Sequence, residues 1–203
     1  DSTGMARVAE TLPGSSGQAT VTLIRLLAWS GGNSYFKTVF HYTASADPGV
    51  RAAAIASLGA LASWNDQPRI IELLGATGDK AEIKELQSAL LAAAMRHEDP
   101  ESRPELILEA LDKGADRLKL IPLLAATGGE KALKRVTDEF ENGDAITRDA
   151  CFEALSYWKD HSAARSLLDI VISGNKTFGR PAFDAYMRMV QVAPVTPERK
   201  LLM

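Results

Sequence analysis

Apolar residues recur along this chain at intervals of three and four, the period of an amphipathic helix, and not at intervals of two. Val21, Ile24, Leu27 and Ala28 share one face before Gly31-Gly32, and Phe36, Val39 and Phe40 share another within roughly Ser34 to Ala44. Ile55, Leu58 and Ala62 line the next helix, and Ile70, Leu73 and Leu74 its expected partner over about Gln67 to Ala76. Ile83, Leu86, Leu90, Leu91 and Ala94 follow, then Leu106, Ile107, Ala110 and Leu111, then Leu118 to Ala125. Ala132, Leu133, Val136 and Phe140 make a further stripe. Ile146, Ala150, Cys151, Ala154 and Leu155 make another, with Ala163 to Ile172 as its expected partner. Met5 to Leu12 opens the chain as one or two helical turns, Pro181 to Val190 is the last full helix, and Thr196-Pro197 begins one more. No segment alternates apolar and polar residues for long enough to make a strand. The pattern predicts an all-α protein.

The punctuation between stripes supports this. Asp47, Asp79 and Asp144 each precede a helix, where a carboxylate accepts the unpaired first N–H groups, and Pro48 takes the first helical position. Ser102 and Glu105 are spaced as a capping box around Pro104. One phrase returns: Asp47 to Arg51 opens a run closing at Ala60-Leu61-Ala62-Ser63-Trp64-Asn65-Asp66. Asp144 to Arg148 opens one closing at Ala154-Leu155-Ser156-Tyr157-Trp158-Lys159-Asp160, about three helix-pair units further on. One short helix pair buries too little apolar surface to offset the ordering of its backbone, so such units must stack. The expectation is a single domain over 1–203, with partial repeats at 1–17 and 191–203.

Both ends read as cut. Met5 to Leu12 looks like the back half of a repeat, and the helix begun at Pro197 reaches only Leu201-Leu202-Met203, the opposite of the polar cap a finished array needs. Phe183, Tyr186, Met187 and Val190 are therefore expected to mediate self-association or docking onto a neighbouring domain.

Composition narrows the function classes. Of 203 residues 46% are hydrophobic but only 6% aromatic, which suits a core of Ala and Leu on helices. A formal charge of −3 argues against nucleic acid, whose binding needs a basic stripe, and against an anionic membrane surface. The single cysteine excludes an internal disulfide framework and a Cys-based zinc site. No apolar run approaches the ~20 residues that span a bilayer. A chain opening on Asp rather than Met suggests a processed N-terminus from which a leader has been removed.

Asp47-Pro48-Gly49-Val50-Arg51, followed by Ala54 and Leu58-Gly59, resembles the second-helix signature of HEAT repeats, including the HEAT-like repeats of phycobilisome lyases. Leu123 to Leu133, through Thr127-Gly128-Gly129, is similar to the turn between helices in such bacterial repeats, and Leu26 to Gly32 is a looser copy. The resemblance covers most of the chain and implies a right-handed α-α superhelix of about six helix pairs, truncated at both ends. Ala-Leu-x-x-Trp-x-Asp, present twice, and Val195 to Leu202 are similar to HEAT stretches of large secreted bacterial proteins that also carry a sandwich domain of the 3-keto-disaccharide hydrolase type. In that family the chemistry lies in the sandwich. The resemblance thus implies an accessory region and a periplasmic or secreted location.

Each candidate for chemistry has a structural reading beside it. Gly14 to Thr20 ahead of a helix lacks the Lys, the glycine spacing and the strand of a phosphate loop, and reads as a flexible inter-repeat loop. His41, His97 and His161 are too far apart for one local metal motif and fall near helix ends. Cys151 lies on an apolar stripe and reads as a small hydrophobe. Trp29, Trp64 and Trp158 each close a helix; exposed, they would stack sugars or a peptide, but their recurrence reads as wedges in the core. Asp47/Arg51 and Asp144/Arg148, four apart, fit a ladder between repeats or an anion site; a local cap plus a helix-surface pair is the simpler account. Asn175-Lys176-Thr177 matches a glycosylation pattern that is common by chance.

Second helices of such repeats line the concave surface, and the residues assigned to it as a protein-binding face are Arg69, Glu72, Lys134, Arg135, Asp138, Arg165 and Asp169. Their signs are mixed, and Lys134/Asp138 and Arg135/Glu139 are spaced as self-satisfied pairs. No catalytic, cofactor or metal residue is assigned. The expected function is a non-catalytic protein-interaction or scaffold module of a larger bacterial protein, with protein or a neighbouring domain as partner. The alternative is an enzyme of HEAT-like fold, of chromophore lyase or DNA glycosylase type.

Overall fold

In the computed structural model, which describes residues 2–30 and 32–192, every regular element among the described residues is a helix. The chain divides into two compact units, residues 1–98 and 99–203. The first unit holds α1 (Ser2–Thr11), α2 (Gly17–Trp29), α3 (Phe36–His41), α4 (Pro48–Leu61), α5 (Gln67–Ala76) and α6 (Lys80–Ala94). The second holds α7 (Glu105–Asp112), α8 (Arg117–Thr127), α9 (Glu130–Asn142), α10 (Ala145–Ser156), α11 (Ala164–Ile172) and α12 (Gly179–Val192). The helix expected from Pro197 lies outside the described residues.

Helices begin where the sequence supplies an acceptor. Asp47 Oδ1 accepts from the N–H groups of Gly49 (2.8 Å) and Val50 (3.2 Å). Asp79 Oδ1 accepts from Ala81 (2.8 Å) and Glu82 (3.0 Å), and Asp144 Oδ1 from Thr147 (2.8 Å). The box expected from Ser102 and Glu105 does not form. Asp99 takes the Ser102 hydroxyl at 2.7 Å and closes the preceding turn, while the Glu105 carboxylate is drawn to Lys131 at 2.9 Å. The stretch Ser34 to Ala44 is helical only in its middle, with 3₁₀ turns at Asn33–Tyr35 and Tyr42–Ala44 flanking α3.

Packing sets the pairing one helix out of phase with the sequence reading. In the first unit α1 packs on α2, α3 on α4 and α5 on α6, while α2, α4 and α6 pack successively on one another. In the second, α7 packs on α8, α9 on α10 and α11 on α12, with α8, α10 and α12 as the successive row. α1, read as the stub of a broken repeat, is thus the first member of a pair. α5 and α11, read as partners of α4 and α10, pack chiefly on α6 and α12. Chain order alone does not reveal which neighbour shares the larger face: two residues join α9 to α8 and two join it to α10, yet it packs mainly on α10.

The core draws on both sets of helices, with α4 at its centre in the first unit. Ile55 and Leu58 of α4 are sealed between α2 and α6, with Leu27 and Leu90 from those neighbours equally buried. Gly59 lets α4 approach α6 closely: a Cβ there would lie 3.4 Å from the Ala89 Cα. In the second unit Leu124, Val136, Leu155 and Leu167 are fully buried.

The three tryptophans do not behave alike. Trp158 is a core wedge at 5% exposure, and Trp64 is half-buried with its ring 4.8 Å from that of His97. Trp29, expected in the core, is 84% exposed. It stands two residues beyond the buried Leu27, about 200° further round the helix, and so faces solvent. Ile146, placed on the inner stripe of α10 by spacing, is exposed as well.

Candidate functional site

The residues assigned to a binding face lie on odd-numbered helices. Arg69 and Glu72 are exposed on α5 of the first unit; the other five belong to α9 and α11 of the second. There the charges neutralise one another. Lys134 reaches Asp138 at 2.7 Å and Arg165 reaches Asp169 at 3.1 Å, each one turn along its own helix. Arg135 bridges Glu139 at 3.1 Å and Asp112 of α7 at 2.5 Å, and Arg117 of α8 joins Glu139 at 3.3 Å. The result is a chain of four charges tying α7, α8 and α9. The Asp112 hydrogen bond, chiefly, raises the Arg135 pKa above its ordinary value. Arg117, Arg135, Asp138 and Glu139 border a cleft of about 570 Å³ whose cations already face carboxylates, leaving no charge for a ligand to neutralise.

Arg51 does not pair with Asp47. It crosses to Glu82 of α6 at 2.9 Å, so the inter-helix ladder is the arrangement found. Thr77 adds a 2.7 Å hydroxyl hydrogen bond to the same carboxylate. Asp144 is held below the ordinary carboxylate range, first by the Thr147 backbone N–H. Arg148 turns back to the Gly143 carbonyl at 3.1 Å. The Gly14–Thr20 segment is a bonded turn rather than a loose loop: the Ser15 hydroxyl donates to the Leu12 carbonyl at 2.7 Å and lies 2.9 Å from the Thr20 hydroxyl.

A different surface is open to a ligand. On the even-numbered helices of the second unit, two adjoining clefts share Tyr157, the residue that closes α10 and is 74% exposed. One, of about 370 Å³, runs between α8 and α10 over Leu118, Pro122, Ala126 and Ala150, with Glu153 beside it. Pro122 sits inside α8 and has no N–H to offer the Leu118 carbonyl four residues back, so the wall of this apolar cleft contains a backbone acceptor. The other cleft, of about 590 Å³, lies between the end of α10 and α12, bounded by Trp158, His161, Arg188 and Val192. The Arg188 guanidinium lies over the Tyr157 ring, 5.9 Å from its centroid.

Polar groups around this second cleft differ from the charged network. The Ser156 hydroxyl and Trp158 indole N–H, both in residues of its wall, are buried without a hydrogen-bond partner. Asp160 is occupied in capping the 3₁₀ turn through Ser162 N–H at 2.9 Å, and the Lys159 ammonium is occupied by the Thr127 carbonyl. Nothing in sequence singled out Tyr157 or Arg188. The one available signal was an exposed aromatic beside the recurring Ala-Leu-x-x-Trp phrase, and it became meaningful only once α12 placed Arg188 above it.

The remaining titratable candidates have structural surroundings. Cys151 is fully buried, and burial pushes its thiol up to about 12, so it is not a nucleophile at neutral pH. Among the described residues no three His, Cys, Asp or Glu side chains are grouped to hold a metal ion, and no helix is long and apolar enough to cross a membrane. Compared with protein-family models and with curated proteins, the chain matches none.

Proposed function

We propose that this chain is a HEAT-like helix-pair module whose task is to bind a partner protein, without catalysis, through the even-numbered helices of its second unit. The observation that carries the reading is Tyr157: a large aromatic, mostly exposed, shared by two clefts that cross three successive helices. A solvent-exposed aromatic between apolar clefts is the kind of anchor that dominates protein interfaces. The pairing of helices supports the repeat assignment, because Asp47 to Arg51 opens α4, the second member of its pair, as the HEAT signature expects. The candidate surface thus moves from the charged odd-numbered helices to the even-numbered row. The experiment is binding of fluorescein-labelled peptides with an aliphatic half and a polar half to wild type and Tyr157→Ala. Loss of binding with unchanged melting supports the reading, and retention of full binding removes it.

A further inference from the structure

We infer that the partner of this surface presents an acidic peptide segment, with an aliphatic side chain in the cleft between α8 and α10 and a carboxylate on Arg188. The inference rests on the proposed protein-binding role and specifies its ligand.

The polarity of the surface runs one way. At the α8 end the polar groups within reach are acceptors: the Leu118 carbonyl that Pro122 leaves without its helical donor, and the exposed Glu153 carboxylate. Those groups suit the backbone N–H donors of an extended peptide and repel an acidic side chain. The floor between them, Leu118, Pro122 and Ala150, takes an aliphatic one. At the α12 end the order reverses. Arg188 is exposed and, among the described residues, engages only the ring of Tyr157. A cation–π contact of this kind leaves the guanidinium N–H donors unspent, and a planar fork of such donors receives a carboxylate in two parallel hydrogen bonds. The exposed imidazole of His161 adds a second donor, while the nearby Asp160 carboxylate already holds the Ser162 N–H. An aliphatic-then-acidic peptide satisfies both ends, whereas a peptide with basic residues in its second half sets like charge against Arg188.

Three pools of fluorescein-labelled, C-terminally amidated nonapeptides test this on the full chain. Each has an aliphatic half of randomised Leu, Ile and Val, and a second half rich in Glu, in Gln or in Lys. Fluorescence polarisation is expected to show the Glu pool binding about tenfold tighter than the Gln pool, with the preference shrinking as salt rises. Arg188→Gln, at an exposed position, should erase that preference without shifting the melting temperature, and Tyr157→Ala should weaken every pool. Equal binding of the Glu and Gln pools, or tighter binding of the Lys pool, overturns the acidic assignment while leaving the protein-binding role standing. Absence of binding by all three pools, or Glu-pool binding untouched by Tyr157→Ala, overturns both. Sedimentation that reveals a dimer abolished by Tyr157→Ala makes a second copy the occupant and also overturns the peptide assignment.

Discussion

Lys159 occupies the space that a side chain at Gly128 would need. Its ammonium reaches past the glycine to the Thr127 carbonyl, and its backbone N–H donates to Ala125 at 3.2 Å. A cation beyond the end of α10 therefore holds the C-terminal end of α8, where carbonyls lack helical partners. Arg96, just beyond α6, does the same for α4: its guanidinium reaches the carbonyls of Gly59 (2.9 Å), Ala60 (3.0 Å) and Ala62.

Gly128→Ala is expected to destabilise the protein by roughly 1–3 kcal/mol, on backbone strain alone. The residue has φ 71° and ψ −157°, a conformation essentially reserved for glycine. The new methyl also displaces Lys159 from its carbonyl. Urea unfolding of Gly128→Ala, Lys159→Ala and the double variant checks this. The two changes should be non-additive, the alanine at 128 costing less once Lys159 is already gone.

Stability should fall on the acid side through Glu82. Hydrogen bonds from Thr77 first, and from Arg51 next, hold its pKa below the ordinary 4.5. Its contribution is therefore complete above that ordinary value and disappears as pH drops through the lower, folded-state value. Glu82→Gln should make the protein less stable at neutral pH and flatten this part of the acid slope. Melting temperatures of the two proteins should converge as pH decreases below about 4.5.

The Cys151 thiol should resist a disulfide-exchange reagent in the native protein and react at a rate set by unfolding. Burial both blocks access and keeps the thiol protonated, with a pKa of about 12. Reaction of native protein at the rate of a free thiol would show that α10 opens locally, without global unfolding.

The tryptophans should separate by mutagenesis. Trp158→Ala is expected to cost about 3–5 kcal/mol, as for a buried ring, and Trp64→Ala less, because that residue is only partly buried. Trp29→Phe should be within about 0.5 kcal/mol of neutral. It should also remove the long-wavelength, easily quenched part of the emission, because Trp29 is 84% exposed.

Helices were legible in the sequence because each carries its own stripe and its own stop. Asp47, Asp79 and Asp144 cap where they were expected to, and a carboxylate two or three residues ahead of its donors is a purely local arrangement. What failed was what depends on neighbours. Ser102 had a second acceptor available in Asp99, and Arg51 met a better-placed carboxylate in Glu82 than in Asp47. The pairing phase was hidden because each helix has a chain neighbour on either side, and spacing does not say which of the two shares the larger face. The expected binding face fell on α5, α9 and α11, and on α9 and α11 its charges pair with one another. Tyr157 stayed invisible because one exposed ring means little until a second element places a cation over it.

The reach-back caps also impose an order on synthesis. The end of α4 is made 34 residues before Arg96, and the end of α8 is made 32 residues before Lys159. At roughly 5–20 residues per second, each helix end emerges from the ribosome and waits roughly 2–7 seconds for its cation. A nascent chain stalled just before residue 96 should be nicked by protease at the end of α4, and one stalled well beyond it should not. During translation, then, the ends of α4 and α8 remain provisional until one late-arriving side chain secures each.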